Sequence, residues 1–496
     1  MTSGPRTYGH LIDGTSVPGD SLDIIERFSP TSDSLVATFA EGTDADIDHA
    51  VAIARQEFDR GGWRNRPAAE RQVVLNRWAD LVEQNAERIA VLEVEEVGKP
   101  IVQARGGLAA SVDLIRYAAS LTHSILDGSA HTDHGREYSA FVLREPVGVV
   151  AAIVPWNFPA LLYCQKVPFA LAAGCSVIAK PSEYTSSSAI ELTLLAHTAG
   201  VPVGALGVLT GYGRSTGARL AGAKGVDFVS FTGSTLSGKA VMNAASTNLT
   251  DVSLELGGKG ANILFPDADI EAAVDAILVA AYFNQGQCCS AGSRIVVHRE
   301  IAGEVKERLV AESLRLVVGD PFDPRTDIGA LIHGDHLRSV MARVDQAESQ
   351  GARRLTSGGQ VWPLGEATGN FFSPIILDQV SPDMAVFQRE IFGPVVSITE
   401  FDGDRDAVDF VNDSDYGLAH SIWTADLSRA MSMWRDLRCG TVWVNTSMET
   451  RSSIPFGGVA SSGFGSEMGA DGGREFTVAK VLHVRTTPSP GFFQAT

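Results

Sequence analysis

Two adjacent thiols, Cys288 and Cys289, lie in the glycine-flanked polar run Asn284-Gln285-Gly286-Gln287-Cys288-Cys289-Ser290-Ala291-Gly292. A thiol in such a turn can meet backbone amides and ionise to a reactive thiolate. The competing reading is a buried structural cysteine, the kind expected of Cys164, Cys175 and Cys439. Leu254-Glu255-Leu256-Gly257-Gly258-Lys259 sets an acid at a strand end against paired glycines. Desolvation there raises a carboxyl pKa toward neutrality, as a general base requires, unless the acid pairs with Lys259. In Val154-Pro155-Trp156-Asn157-Phe158-Pro159, Asn157 stands between a strand end and a helix start. Its amide can join backbone N–H groups on one ligand oxygen, or simply cap the helix. Lys180-Pro181-Ser182-Glu183 ends a strand in a cation and an acid, which suits a nucleotide ribose diol and equally a solvated ion pair. Thr232-Gly233-Ser234-Thr235-Leu236-Ser237-Gly238 lets a phosphate approach Gly and the following helix start, or forms a plain turn. It is neither the dinucleotide fingerprint nor a P-loop.

The elements that must hold these residues read as strand–helix alternation. Strands are expected over 147–154, 176–179, 207–210 and 227–231, with helices over 159–173 and 187–197. That alternation implies a parallel sheet covered by helices, with ligands beyond the carboxyl ends of its strands. A second α/β texture begins at Asn262, with a helix over 269–283 leading into Cys288 and Cys289. Upstream, Val74, Trp78, Leu81, Val82, Ile89 and Leu92 recur at helical spacing, predicting an amphipathic helix over 68–97. Segments 137–144 and 476–484 alternate like edge strands and could pair with each other or with a second subunit.

The 496 residues suffice for about two to four domains. Hydrophobic residues at 44% and charged residues at 20% exclude a disordered or fibrous chain. A net charge of −19 repels phosphate backbones and argues against nucleic acid as a partner. The uncharged stretch 146–165 is interrupted by Pro146, Pro155 and Pro159, so no membrane helix is expected. Five scattered cysteines and an N-terminus without a basic and apolar signal suggest reduced thiols in the cytoplasm. The pairs His131/His134 and His333/His336 have no further ligands nearby and read as surface residues, with no metal site.

The order and combination of the motifs carry more than each alone. The runs beginning at Pro155, Lys180, Phe231, Glu255 and Gly286 are followed by Glu390-Ile391-Phe392-Gly393-Pro394 and Pro455-Phe456-Gly457-Gly458. Together they resemble the aldehyde dehydrogenase superfamily over nearly the whole chain, up to Val484. The resemblance implies an α/β protein. Residues 1–127 and 147–256 would form a Rossmann-like parallel-sheet domain for NAD. Residues 257–462 would form a second α/β, catalytic domain, and 128–146 with 463–496 a small β oligomerisation arm and C-terminal tail.

By the same resemblance, Cys289 matches the nucleophile, Glu255 the general base, and Asn157 the oxyanion-binding amide. Lys180, Ser182 and Glu183 match the adenosine-ribose side of the cofactor, and Gly233 with Ser234 the pyrophosphate turn. Glu390 and Phe392 match the nicotinamide side. Val154, Pro155, Trp156, Gly213, Gly217, Phe231, Thr232, Leu256 and Gly257 complete the expected cofactor lining. Phe158, Leu161, Leu162, Gln165, Cys288, Ser290, Phe456 and the loop 446–454, with Glu449 and Arg451, are the expected substrate tunnel. In that loop Arg451 could anchor the far carboxylate of a semialdehyde, or pair with Glu449. The implied activity is oxidation of an aldehyde to its acid with NAD, or NADP, through a cysteine thiohemiacetal and a thioester that Glu255-activated water hydrolyses. Alternatives are a CoA-acylating relative, a non-catalytic protein on the same fold, or a thiol redox sensor. Glu183 favours NAD, because a 2′-phosphate would meet its charge. A homodimer or homotetramer is implied. The run after Gly458 departs from the family pattern at Val459-Ala460-Ser461-Ser462 and at Gly465-Ser466-Glu467, which casts doubt on assembly more than on catalysis. Gly260-Ala261 after Lys259 is a further, local departure.

Overall fold

Val149–Ile153 and Ser176–Lys180 are buried along their whole length, so their sequences run apolar without alternation, as strands covered on both faces must. They sit inside an eight-stranded sheet of a computed structural model describing residues 4–19, 23–133, 135–365 and 367–487. Across that sheet the order is Gly463–Phe464, Asp251–Glu255, Phe228–Thr232, Val149–Ile153, Ser176–Lys180, Leu206–Val208, His10–Ile12 and Thr15–Val17. The five strands from Asp251–Glu255 to Leu206–Val208 are mutually parallel. Chain order reverses between Val149–Ile153 and Phe228–Thr232, the kind of switch point where such sheets open a crevice. The turns carrying Asn157 and Gly233 leave those two strands. Helix Pro159–Ala173 starts with Pro at its first turn and ends at a left-handed Gly174.

A seven-stranded sheet follows, ordered Arg353–Arg354, Ile375–Asp378, Val395–Phe401, Arg294–His298, Ala261–Leu264, Ala419–Trp423 and Thr441–Val444. Only its Arg353–Arg354 edge is antiparallel among the pairings of the described residues. Helix Ile270–Tyr282 lies between its first two strands in sequence, Ala261–Leu264 and Arg294–His298, and leads into the turn with the two thiols just before the central strand Arg294–His298.

One expectation is overturned and one alternative is decided. The single helix over 68–97 is two, Ala68–Gln84 and Ala86–Val97. At Asn85 the side-chain amide donates to the Leu81 carbonyl at 2.8 Å, competing with the backbone as Asn does. The predicted edge segments pair with each other: Thr477–Arg485 runs antiparallel to Tyr138–Pro146 over nine residues, with Ser129–His131 on the far side. His134 and residues 488–496 lie outside the described residues. Among those described, no helix is long and apolar enough to cross a membrane.

Candidate active site

The thiol turn is held in a conformation its residues would not choose alone. Asn284 and Gln285 are both left-handed, at φ 50° and 59°, and Gly286 follows at φ 70°. Each non-glycine residue of this kind costs on the order of 1–3 kcal/mol, so neighbours must fix it. Buried amides do so. Asn284 donates to the Asn157 carbonyl at 2.9 Å, and Gln285 to the Ala330 carbonyl at 3.1 Å. The Gln287 side chain accepts from Ile332 N at 3.0 Å. Asn157 closes the circuit by donating its side-chain N–H to the Gln287 carbonyl at 3.0 Å. The Asn157 amide is therefore buried against the turn that carries the nucleophile candidate; it does not cap the following helix.

Cys289, Asn157, Leu162, Leu256, Gly257, Glu390 and Phe392 line one cavity of about 270 Å³, with His336 and Arg343 on its wall. Glu390 accepts from Gly258 N at 3.1 Å, and burial pushes its carboxyl up to about 7. The Cys288 thiol beside it, burial, and the Glu390 and Glu255 carboxylates hold the Cys289 thiol above its ordinary value. Cys288 itself is buried and shares a contact of 3.3 Å with the Ser290 hydroxyl.

A second cavity of about 600 Å³ adjoins the first, and Pro155, Trp156, Thr232, Gly233 and Ser234 line both. Its walls include Val154, Lys180, Ser182, Glu183, Gly213, Gly217 and Phe231. Lys180 is fully buried, its amine 3.7 Å from Glu183; burial pulls it below its ordinary value and Glu183 opposes that. Ser234 caps helix Thr235–Ser246, accepting from Ser237 N at 3.1 Å, so that helix start faces the cavity. A Cβ at Gly233 would lie 2.5 Å from the Phe231 ring, so the chain passes there without a side chain. A buried cation with an acid at one end, a helix start in the middle and Glu390 with Phe392 beside Cys289 fit an extended dinucleotide.

Glu255 is buried at the end of Asp251–Glu255, within electrostatic reach of Glu467 and Lys166 on one hand and of the Cys289 thiol on the other. Burial first, then the Glu467 charge, raise its carboxyl well above the ordinary value, while Lys166 opposes them. Lys166 forms a buried ion pair with Glu467 and donates to Ser230 at 3.1 Å. The alternative partner Lys259 forms no ion pair with Glu255: it lies fully buried near Arg294, Glu390 and Arg343, its amine without a hydrogen-bond partner among the described residues, and burial brings it down to about 7. Glu467, the acid of the run Gly465-Ser466-Glu467, thus acts electrostatically on the general-base candidate.

Among the tunnel candidates, Phe158 stacks on Phe283 with centroids 5.8 Å apart. Gln165 donates to the Met468 sulfur at 3.5 Å and Ser290 to the Met448 sulfur at 3.2 Å. Phe456 packs against the same apolar cluster as Leu161, Leu162 and Cys288. Glu449 and Arg451 are exposed and pair with each other at 3.5 Å. His333 and His336 are half-buried instead of free surface residues: the His333 ring packs on Tyr184, and His336 lines the first cavity against Trp156 and Phe392. His131 is exposed, and no metal-binding group of three side chains exists among the described residues. Lys166, Glu467, Arg343 and Met468 were not visible in the sequence as site residues, whereas Met448 lies in the expected tunnel loop 446–454. A lone cation in the apolar helix Pro159–Ala173 was the one local signal.

The aldehyde dehydrogenase family model matches residues 17–482. An NADP/NAD-dependent aldehyde dehydrogenase from Escherichia coli is 40% identical over 477 residues, 96% of this chain and 95% of that one. The crystal structure of an NAD-dependent aldehyde dehydrogenase from Sinorhizobium meliloti superposes with a TM-score of 0.96 at 40% identity, covering 99% of this chain and 97% of that one. A betaine aldehyde dehydrogenase from Staphylococcus aureus, solved in complex with NAD+, superposes with a TM-score of 0.95 at 34% identity, covering 99% and 97%. The chain belongs to the aldehyde dehydrogenase family, whose NAD(P)-dependent oxidation of aldehydes to acids it performs.

Proposed function

We propose that Cys289 attacks the aldehyde carbonyl, that the Asn157 amide with the Cys289 backbone N–H holds the oxyanion, and that Glu255 activates the water that hydrolyses the thioester. The observation carrying this reading is the single cavity that Cys289 and Asn157 share with Glu390 and Phe392. An aldehyde has no leaving group, so a thiol adduct is what makes hydride departure feasible. The bound nicotinamide supplies the hydride acceptor. Lys180 and Glu183 would hold the adenosine ribose, Ser234 the pyrophosphate, and Glu390 the nicotinamide ribose. Glu183 favours NAD over NADP. A carboxyl that can take a proton favours water over a CoA thiol as the group that resolves the thioester.

The tunnel suits an uncharged aldehyde. Lys99 is spent on Glu93 at 3.0 Å and on the Phe158 ring, and Arg451 on Glu449. Arg451→Ala should therefore leave the ratio of kcat/KM for semialdehydes and neutral aldehydes unchanged. Residues 1–127 and 147–256 act as the cofactor domain, 257–462 as the catalytic domain, and 128–146 with 463–496 as the arm of a homodimer or homotetramer. Five free thiols suit a reducing setting such as the cytoplasm.

Rapid-mixing kinetics test the division of labour. Cys289→Ala should form no NADH even in one turnover. Glu255→Gln should give a burst of up to one NADH per site and then stall, with hydrolysis slowed by about 10²–10⁴ and an acyl adduct on Cys289. Cys288→Ala should keep both steps. Full steady-state turnover by Glu255→Gln would refute the assignment.

A further inference from the structure

Phe392 lies on the cavity wall beside Cys289 with a left-handed backbone, φ 62°, which an aromatic residue adopts only when held there. The hold comes from one face of helix Gly334–Ser349. His336 Nε2 donates to the Phe392 carbonyl at 2.7 Å, and Arg343 donates to the Glu390 carbonyl at 3.1 Å. Between them, Val340 fills the space that a Cβ on Gly393 would need, at 2.8 Å. Residues 336, 340 and 343 recur at i, i+4 and i+7, so they form one stripe gripping the segment Glu390–Gly393. Trp156 meets the Phe392 and His336 rings edge-on, at 5.4 and 6.0 Å, which fixes the aromatic side as the helix fixes the backbone.

We propose that His336 is a positioning residue for hydride transfer, its ring N–H holding Phe392 in the strained conformation that presents the aromatic ring to the nicotinamide. The proposal rests on the reading of Phe392 as the nicotinamide support. A carbonyl acceptor requires hydrogen on Nε2, so the neutral ring must be the Nε2–H tautomer. Burial holds the ring below its ordinary pKa, which keeps it uncharged beside a cofactor whose oxidised ring is itself positive. His333 anchors the helix start by accepting from His336 N at 3.0 Å, and its ring packs on Tyr184 next to Glu183. The same turn thus braces both ends of the cofactor cleft.

The test compares His336→Ala, His336→Gln and Phe392→Ala in three readouts: the first-turnover rate of NADH formation, KM for NAD, and hydrolysis of p-nitrophenyl acetate without NAD. His336→Ala should slow first-turnover NADH formation about tenfold and raise KM for NAD, the cost of a misplaced reactant. Ester hydrolysis, which needs the thiol but no nicotinamide, should stay within about twofold. His336→Gln, whose amide N–H can reach the same carbonyl, should recover most of the rate. The proposal falls if His336→Ala leaves NADH formation unchanged, if ester hydrolysis drops in step with it, or if Gln is no better than Ala. If Phe392→Ala slows NADH formation and His336→Ala does not, the role given to His336 alone fails. If neither does, the reading of Phe392 fails with it.

Discussion

Glu255 is one of two buried carboxyls arranged around the Lys166 cation, and that arrangement sets how its activity must depend on pH. Only ionised Glu255 can take a proton from water, so thioester hydrolysis should rise with pH through a midpoint above the ordinary carboxyl value of 4.5. Lys166 lowers that midpoint and Glu467 raises it. Lys166→Met should therefore move the midpoint to higher pH and slow hydrolysis near neutrality. Glu467→Gln should move it to lower pH. Acyl-enzyme decay followed by quench and mass spectrometry reads both, and superimposable profiles would show that the three groups are not coupled. A parallel sign applies to the thiols. Cys288 raises Cys289, so Cys288→Ala should shift the pH midpoint for alkylation of Cys289 by iodoacetamide downward. The sequence displayed Cys289, Glu255 and Asn157 because each sits in a short run at a strand or helix end. It did not display Lys166 with Glu467, a contact spanning 301 positions. Nor did it display the packing of the His333 ring on Tyr184 or of His336 on Trp156 and Phe392, which are contacts between segments distant in sequence.

The elements meet closely where the first sheet hands over to the second. A Cβ on Gly258 would lie 2.3 Å from the Cys289 carbonyl oxygen, a backbone atom that can yield only if the thiol turn moves. Gly258→Ala should therefore cut kcat by more than about 10²-fold, although position 258 carries no reactive group. It should also cost about 1–3 kcal/mol of stability through overpacking. Gly106→Ala is the matched control. Gly106 lies inside helix Ile101–Leu121 with nothing within 4 Å of its Cβ position, so Ala should be neutral or stabilising by up to about 1 kcal/mol. Activity and thermal-shift measurements on both variants check the pair, and an active Gly258→Ala would mean the turn is pliable. Periodicity and breakers located the parallel strands and helix Pro159–Ala173 well, because two-sided burial and a terminal Pro and Gly leave local marks. The break at Asn85 was hidden inside an unbroken apolar stripe. The N-terminal strands Arg6–Tyr8, Ile24–Phe28 and Leu35–Ala40 were hidden too, since they are short and owe their pairing to each other.

For the whole molecule, the proposed homo-oligomer is tested at the arm. Thr477–Arg485 pairs on one side with Tyr138–Pro146 and forms an edge of its three-stranded sheet, leaving its other side open. In that register Leu482 stands opposite Phe141 and Lys480 opposite Leu143, so Phe141, Leu143, Val478 and Leu482 share one face. All four are exposed in the single chain, Leu143 by 50% and Leu482 by 52%. A solvent-facing apolar strip on an open edge invites pairing, and in the proposed oligomer a second copy with the same strip would cover it isologously. Light scattering should therefore give a multiple of 52.6 kDa for the wild type. Leu482→Asp would face Phe141 with a charge inside the contact, so the variant should fall toward the single-chain mass. Its cofactor cleft, built from other elements, should still bind NAD. Each copy carries a net charge of −19, so association is opposed by long-range repulsion that salt screens. Raising ionic strength from about 0.01 to 0.15 M shortens the screening length from about 30 to 8 Å and should tighten assembly, whereas contacts held by ion pairs would loosen. A wild-type mass of 52.6 kDa at micromolar concentration, or dissociation on adding salt, would reject an apolar interface through this arm.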